Sequence, residues 1–461
     1  MPKKKAIIIG GNAAGMSAAA QLRRLDGDTE IIVFEKGPHT SYSSCGIPYY
    51  VGRTVNDPNL MISRTPEEFR KSGVQVWTLH EATRIDTKEH TVGVTDLLSG
   101  RKFTERWDKL LIATGAAPLK PPIPGADAEG VFGVSTLDSG IRIRRWMEEN
   151  NPKRAVIVGG GYIGLEMAEA MNCRLGLDTS IVERAAQLMG TVDGDMAECV
   201  ADDMREQGCK VYLEESVEAF LTENGRVTGV KTDKRTLGAD IVIMGLGVLP
   251  NTKLASDAGL PLGVKGSVIV DKGMRTPVPD VWAAGDCAQS FNILTGEPMH
   301  IALGTVANKH GRVAGFTMAG LDEEFPGVLG TAVCKICKYE IARTGRLERE
   351  MISDNISHIC GIIESGTRAD YIEDAGSMRV KLVVELPSRK IAGAQIVGTE
   401  GAAKRIDTCA AIITAGMTVD DVVNLDLSYA PPFSPVWDPI QQAARFIQGL
   451  IRRKQRGRLS R

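Results

Sequence analysis

The stretch RAVIVGGGYIGLEMAEAM, residues 154–171, decides the fold. A short apolar run ends in Gly159, Gly161 and Gly164, which fill all three places of G-x-G-x-x-G, and helix formers follow. Strand, glycine turn and helix in that order make a dinucleotide-binding unit. The first glycine makes the tight turn, the second lets backbone approach a pyrophosphate, the third packs helix on strand, and the helix N-terminus presents N–H groups. Downstream, TSIVERA (179–185) reads as the next strand and puts Glu183 nineteen residues after Gly164, where a carboxylate accepts hydrogen bonds from ribose hydroxyls. An acid there repels a 2′-phosphate and favours NADH over NADPH. The adjacent Arg184 pulls the other way, so both stay open.

The same pattern stands about 150 residues earlier, at KAIIIGGNAAGMSAAAQLRRL (5–25), where Gly10 and Gly15 keep their places and Asn12 replaces the middle glycine. That replacement weakens the motif. EIIVFEKG (30–37) strengthens it again, because its strand ends in Glu35, twenty residues after Gly15. Two such turns imply two dinucleotides. DKLLIATGAAP (108–118), with Thr114 and Gly115 after a strand, and a proline-rich stretch suit the crossing from one domain to the next; IVIMGLGVLPNT (241–252) suits the return. TPVPDVWAAGDCA (276–288) is a further buried strand, and Asp286 at its end stands where a carboxylate can meet a ribityl hydroxyl.

These segments together resemble the two-dinucleotide-binding flavoproteins related to glutathione reductase. The resemblance implies FAD in the first site, NADH or NADPH in the second, and an α/β fold of two Rossmann-like domains followed by a C-terminal α+β dimerisation domain. The expected boundaries are 1–118 and 248–326 for FAD, 119–247 for NAD(P)H, and 327–461 for the interface domain.

After Glu35 the chain reads KGPHTSYSSCGIPYYVGR, which sets Cys45 in a polar loop bounded by glycine and proline. Dithiol reductases carry two cysteines about five residues apart here; this chain has Thr40 and Tyr50 at those distances. The motif from Ser41 to Tyr50 resembles the single-cysteine subgroup: coenzyme A disulfide reductases, NADH-dependent persulfide or polysulfide reductases, and NADH oxidases and peroxidases. The subgroup implies a redox role for Cys45. Its oxidases and peroxidases carry a histidine where this chain has Ala13, which favours the reductases. Ser17, Gln21 and Arg24, with Ser41 and Ser44, match positions that hold coenzyme A, and Arg23 and Arg24 suit its phosphates. Tyr162 resembles the aromatic that gates the nicotinamide. In LSYAPPFSPVWDPI (427–440), Tyr429 matches a residue that completes the partner subunit's active site in a homodimer, and Tyr371 resembles a second tyrosine, although the residues after it depart from the usual pattern.

Composition sets the frame for this reading. At 43% hydrophobic, 24% charged and net charge -2, the chain carries no basic excess for nucleic acid and reads as a small-molecule enzyme; the resemblance implies low-molecular-weight disulfides or persulfides as its substrates. From a start at MPKKKAIIIGG, without a signal pattern or an 18-residue apolar run, a cytoplasmic location off the membrane is expected. Nine cysteines without regular spacing read as buried thiols rather than a disulfide framework. Cys334-x-x-Cys337 has no second pair to complete a zinc site and is expected to pack in a strand, so no metal is expected. The segments around SHICGIIES (357–365) and MRVKLVVELPSRKIAGAQIVG (378–398) read as alternating strands, and the basic tail 452–461 as a frayed, solvated end. The competing functions are an NADH oxidase or peroxidase, a flavin reductase serving a protein electron carrier such as rubredoxin or ferredoxin, and a non-catalytic NADH-sensing flavoprotein.

Overall fold

A computed structural model describes residues 3–459. The chain divides into two compact units. The first gathers the chain up to Pro122 with Ala126–Pro152 and Ile243–Val328; the second gathers Ile123–Gly125, Lys153–Val242 and Leu329 onward.

The first unit is built on a parallel sheet in the order Val281–Ala283, Lys109–Ile112, Lys5–Ile9, Glu30–Glu35, Val74–Thr78. Ile7, Ile8, Ile31, Val33, Leu110 and Leu111 are wholly buried, because helices and sheet cover both strand faces. Each such side chain contributes about 1.5–3 kcal/mol on leaving water. Strand order reverses on either side of Lys5–Ile9, so the crevice expected at a switch point opens just past Ile9, at Gly10. Helix Ala13–Leu25 lies against helix Gly304–Met318, and small residues set the distance: a Cβ on Gly311 would strike the carbonyl of Ala14. The outgoing and returning connections meet as a short antiparallel ribbon, Ala116–Pro118 with Val248–Pro250.

The second unit repeats the plan with parallel strands Arg154–Val158, Asp178–Val182 and Lys210–Tyr212, and helix Tyr162–Glu169 runs on into a π-turn, Ala170–Arg174. The same unit holds a five-stranded antiparallel sheet in the order Ala332–Ile336, Tyr339–Gly345, Ile391–Gly398, Ser377–Glu385, His358–Gly366. The expected alternation fails on Ile391–Gly398, where all eight residues are buried. Helices Ala402–Thr414 and Gly194–Glu206 both pack on that strand, so neither face meets water. The buried polar residues there are paired: Gln395 Nε2 donates to Asp193 Oδ2 at 2.6 Å, and Lys381, 1% exposed, meets Asp193, Asp195 and Glu348 at 3.1, 2.7 and 2.6 Å. Removing one member of such a set leaves an uncompensated buried charge, which costs about 3–5 kcal/mol.

The basic tail departs from its reading as frayed. Helix Pro439–Leu459 runs through most of it, with Arg452, Arg453 and Lys454 exposed; Ser460 and Arg461 lie outside the described residues. No helix among the described residues is long and apolar enough to cross a membrane.

Candidate active site

At the first glycine turn Gly10 has φ +112°, a conformation open to glycine, and a Cβ there would meet the carbonyl of Ala113. A Cβ on Gly15 would strike the Gly10 carbonyl, so helix and turn touch backbone to backbone. Glu35 closes the turn. Its carboxylate accepts from Gly11 N and Gly37 N, each at 2.6 Å, while burial pushes its pKa up against the pull of those N–H groups. Asn12 caps helix Ala13–Leu25 without a side-chain cap bond, which leaves first-turn N–H groups for an anion.

The Asn12 side chain does something else. Its Oδ1 accepts from Tyr42 N at 3.1 Å and its Nδ2 donates to Ser44 Oγ at 3.3 Å. Ser41, at φ +50°, donates its N–H to Gly11 O at 3.0 Å, and Ser43 N donates to Met61 O at 2.9 Å. The substitution that weakens the motif in sequence therefore ties the turn to the cysteine loop. Cys45 follows, exposed, in a 3-10 turn (Ser44–Gly46) that leads into helix Ile47–Val51. Tyr42, which the sequence did not single out, has its pKa pushed up to about 12 by burial and then by Glu35 and Asp138, and its phenol is neutral at physiological pH. Its only signal was its place three residues before Cys45.

Two further elements complete the first unit's part. Thr114 Oγ1 donates to Asn251 O at 2.6 Å and Asn251 N to Gly115 O at 2.9 Å, so Thr114 and Gly115 lock the ribbon between the two connections. Asp286 stands after Gly285 at the end of its strand, and its Oδ1 is buried with no hydrogen-bond partner. Burial raises its pKa. An unsatisfied buried carboxylate oxygen is costly and fits a site for a ligand hydroxyl. With the Gly10–Asn12 cradle and Glu35, the donor and acceptor set fits FAD.

Ser17, Gln21 and Arg24 share one stripe of helix Ala13–Leu25. Ser17 Oγ donates to Asn308 Oδ1 at 2.7 Å, and exposed Arg24 donates to Gln21 Oε1 at 3.0 Å. Arg23 is corrected as a phosphate contact: its guanidinium caps the carbonyls of Asp26, Gly27 and Thr29, which hold it at the helix end.

The second unit reproduces the turn. Gly159 has φ +104°, a Cβ on Gly164 would strike the Gly159 carbonyl, and Glu183 accepts from Gly160 N and Ala185 N, each at 2.7 Å. Gly161 differs from Asn12: nothing lies within 4 Å of an added Cβ, a cradle that fits a pyrophosphate. Tyr162 opens the helix with its hydroxyl buried and unpartnered, and burial raises its pKa. One turn on, Glu166 is pushed up to about 7 by burial and by Glu169. Two acids three residues apart, Glu166 and Glu169, in a short helix of otherwise uncharged residues were its signal in the sequence. Tyr371 and Tyr429 are both exposed, and the neighbouring Tyr429 phenol raises the pKa of Tyr371. Glu348, His358 and Cys360 each bring one metal-type ligand atom within 4.8 Å of the others, but Glu348 already serves the buried Lys381.

Comparison with known proteins places this geometry. The sequence pattern of the pyridine nucleotide-disulphide oxidoreductases matches residues 4–311, and that of their dimerisation domain matches residues 331–439. The chain is 36% identical to an NADH oxidase of Methanocaldococcus jannaschii, over 95% of this chain and 98% of the relative. It is 36% identical to an NAD(P)H coenzyme A polysulfide/persulfide reductase of Pyrococcus horikoshii, over 97% and 99%. Among solved structures, the NAD-dependent persulfide reductase from A. fulgidus superposes with a TM-score of 0.93 at 38% identity, covering 98% of this chain and 84% of that one. Glycine turns, acids and cysteine loop thus sit in a known order, and the chain belongs to the pyridine nucleotide-disulphide oxidoreductases.

Proposed function

We propose that this protein uses NADH or NADPH and FAD to reduce coenzyme A disulfide, coenzyme A persulfide or polysulfide through Cys45. The observation that carries the reading is an exposed cysteine in a loop clamped by Asn12 to the first glycine turn, without a second cysteine in that loop. When bound, FAD supplies two-electron transfer between the nicotinamide and sulfur. The chain's residues do the rest. Glu35 and Asp286 accept from ligand hydroxyls, first-turn N–H groups at Asn12 and Gly161 meet pyrophosphates, and Glu183 takes the nicotinamide nucleotide's ribose. The Cys45 thiolate attacks a disulfide or persulfide sulfur and expels a thiol or hydrosulfide. Ser17, Gln21, Arg24, Ser41 and Ser44 hold coenzyme A. In a homodimer, Tyr429 of the partner subunit donates a hydrogen bond to the departing thiolate, and the partner's Tyr371 stands beside that phenol.

The Methanocaldococcus relative's name favours a second reading, an NADH oxidase; Ala13, where such enzymes carry a histidine, weighs against it. One stopped-flow series tests both. Cys45→Ser should keep FAD and its reduction by NADH while sulfur-acceptor turnover falls by at least about 10³-fold. Sulfur reduction surviving in that variant, or oxygen exceeding every sulfur acceptor in kcat/KM, overturns the proposal. Tyr429→Phe should slow only thiol release, by about tenfold to a hundredfold; an unchanged rate in intact dimers removes the tyrosine from the mechanism.

A further inference from the structure

Cys334-x-x-Cys337 does not act as a pair. Cys334 points into the core from strand Ala332–Ile336, whereas Cys337 occupies the hairpin turn that follows, at φ +49°. The partner of Cys337 is Cys173, 164 residues away in sequence, in the π-turn that extends the second nucleotide-binding helix; the two Sγ atoms lie 3.5 Å apart. Cys173 is exposed and Cys337 half-buried. The turn is fixed by bonds to the segment that faces it. Cys337 N donates to Glu169 Oε2 at 3.0 Å, Lys338 N donates to Asp203 Oδ2 at 3.3 Å, and Lys338 Nζ meets Asp203 and Glu206 at 3.3 and 2.8 Å. A disulfide needs S–S of about 2.05 Å, so closure asks for roughly 1.5 Å of movement between thiols already facing each other.

We propose that Cys173 and Cys337 form a second thiol–disulfide site, which low-molecular-weight disulfides oxidise to an intramolecular disulfide without the Cys45 centre. Cys173, the exposed member, attacks RSSR: its sulfur bonds to one RS group, and the other leaves as RS⁻ and takes up the Cys173 proton. Cys337 then attacks the Cys173 sulfur, the Cys337 proton passes to the departing RS⁻, and the Cys173–Cys337 bond forms. In sum two protein thiols lose two electrons and two protons, and RSSR becomes two RSH. Burial, and then Cys173, raise the pKa of the Cys337 thiol, which suits it to the resolving step, where its partner sulfur is already in contact, better than to first attack from solvent. The resulting link would fasten the far end of the helix that begins at the second glycine turn to the hairpin at residues 332–345.

The test uses the full-length, flavin-loaded protein carrying Cys45→Ser, so that exchange at Cys45 plays no part and the outcome does not depend on the proposed activity. Oxidised glutathione is added, the reaction is quenched in acid, remaining thiols are alkylated after denaturation, and peptides are mapped by mass spectrometry. The expected result is a linked Cys173–Cys337 peptide with little glutathione retained on Cys173, and at least about tenfold more glutathione retained there when Cys337→Ser is added. Retention equal with and without Cys337, a link from Cys173 to any other cysteine instead, or both thiols staying open to alkylation overturns the proposal. The linked peptide in the protein that keeps Cys337 decides the matter even if Cys337→Ser fails to fold.

Discussion

The two glycine turns share one geometry and differ at one residue. In both, the first glycine has a φ above +100°, the third touches the first backbone to backbone, and a carboxylate at the next strand's end accepts two N–H groups at 2.6–2.7 Å. The middle position separates them. Asn12 spends its amide on the loop that carries Cys45, and Gly161 leaves open space. The comparison teaches that the fingerprint builds a pyrophosphate cradle, and that its middle residue sets what else the turn does: one turn is tied to the loop of Cys45, the other keeps open space over its glycine.

The largest expected effect tests the shared part. Gly15→Ala and Gly164→Ala each drive a methyl into a carbonyl of the first glycine, a backbone atom that cannot yield cheaply. Each should destabilise its unit by about 4 kcal/mol or more, or prevent folding. Gly161→Ala, at φ −84° with open space around the new methyl, should change stability by less than about 1 kcal/mol and act on nucleotide binding instead. Thermal unfolding with a binding titration checks both. A Gly161→Ala variant as unstable as Gly164→Ala would break the comparison.

The units should also answer pH in opposite senses. In the first, His310 is buried against Phe325 and burial lowers its pKa to about 4 from 6.5. Between those values the unfolded chain binds the extra proton, so stability is full above about 6.5 and is lost as pH falls through 4, by about 3 kcal/mol in total. In the second, Glu166 is raised to about 7 from 4.5, so the native state binds the extra proton; its contribution is full below about 4.5 and is lost as pH rises through 7, on the same scale of about 3 kcal/mol. Hydrogen exchange resolved by unit, at pH 5 and pH 7.5, should show the first unit firmer at the higher pH and the second at the lower. Glu166→Gln should flatten only the second slope. Parallel slopes in both units would show that neither group governs.

What was legible follows from where the constraints lie. Gly10, Gly15, Gly159, Gly161 and Gly164 were readable because a tight turn and a close helix admit so few residue types at fixed local spacing. The loop position of Cys45 was readable because that loop is continuous with the second strand; its redox role is a proposal. Most of the misread features depend on partners distant in sequence; Arg23 is the local exception. Asn12 looked like a flaw because its partners lie 30 and 32 residues on. Arg23 looked like a phosphate ligand until carbonyls at its own helix end claimed it. Cys337 was expected to pack in a strand with Cys334, yet it stands in the turn just past that strand and faces Cys173, 164 residues away in sequence. Ile391–Gly398 was given an exposed face because no local pattern announces a helix packed on each side.

The smallest expected effect bears on the difference itself. Asn12→Gly restores the full glycine motif, and the backbone tolerates it, because Asn12 sits at φ −110° and ψ −151° and caps the helix without its side chain. If the middle position serves the pyrophosphate alone, the variant should equal or improve on the parent. If Asn12 is a strut, two bonds are lost: Tyr42 N–H gives up its acceptor and Ser44 Oγ its donor. Each neutral bond contributes about 1 kcal/mol net, and the loop carrying Cys45 then samples orientations away from its target. The expected outcome is FAD affinity and NADH-driven flavin reduction near the parent values, with the sulfur half-reaction about tenfold slower. Asn12→Asp separates the two bonds, since it keeps the acceptor for Tyr42 N, drops the donation to Ser44, and sets a negative charge beside the pyrophosphate, so its main loss should be FAD affinity. Single-turnover kinetics on flavin-loaded protein decide. A sulfur half-reaction in Asn12→Gly as fast as in the parent would return position 12 to the ordinary role of a middle glycine.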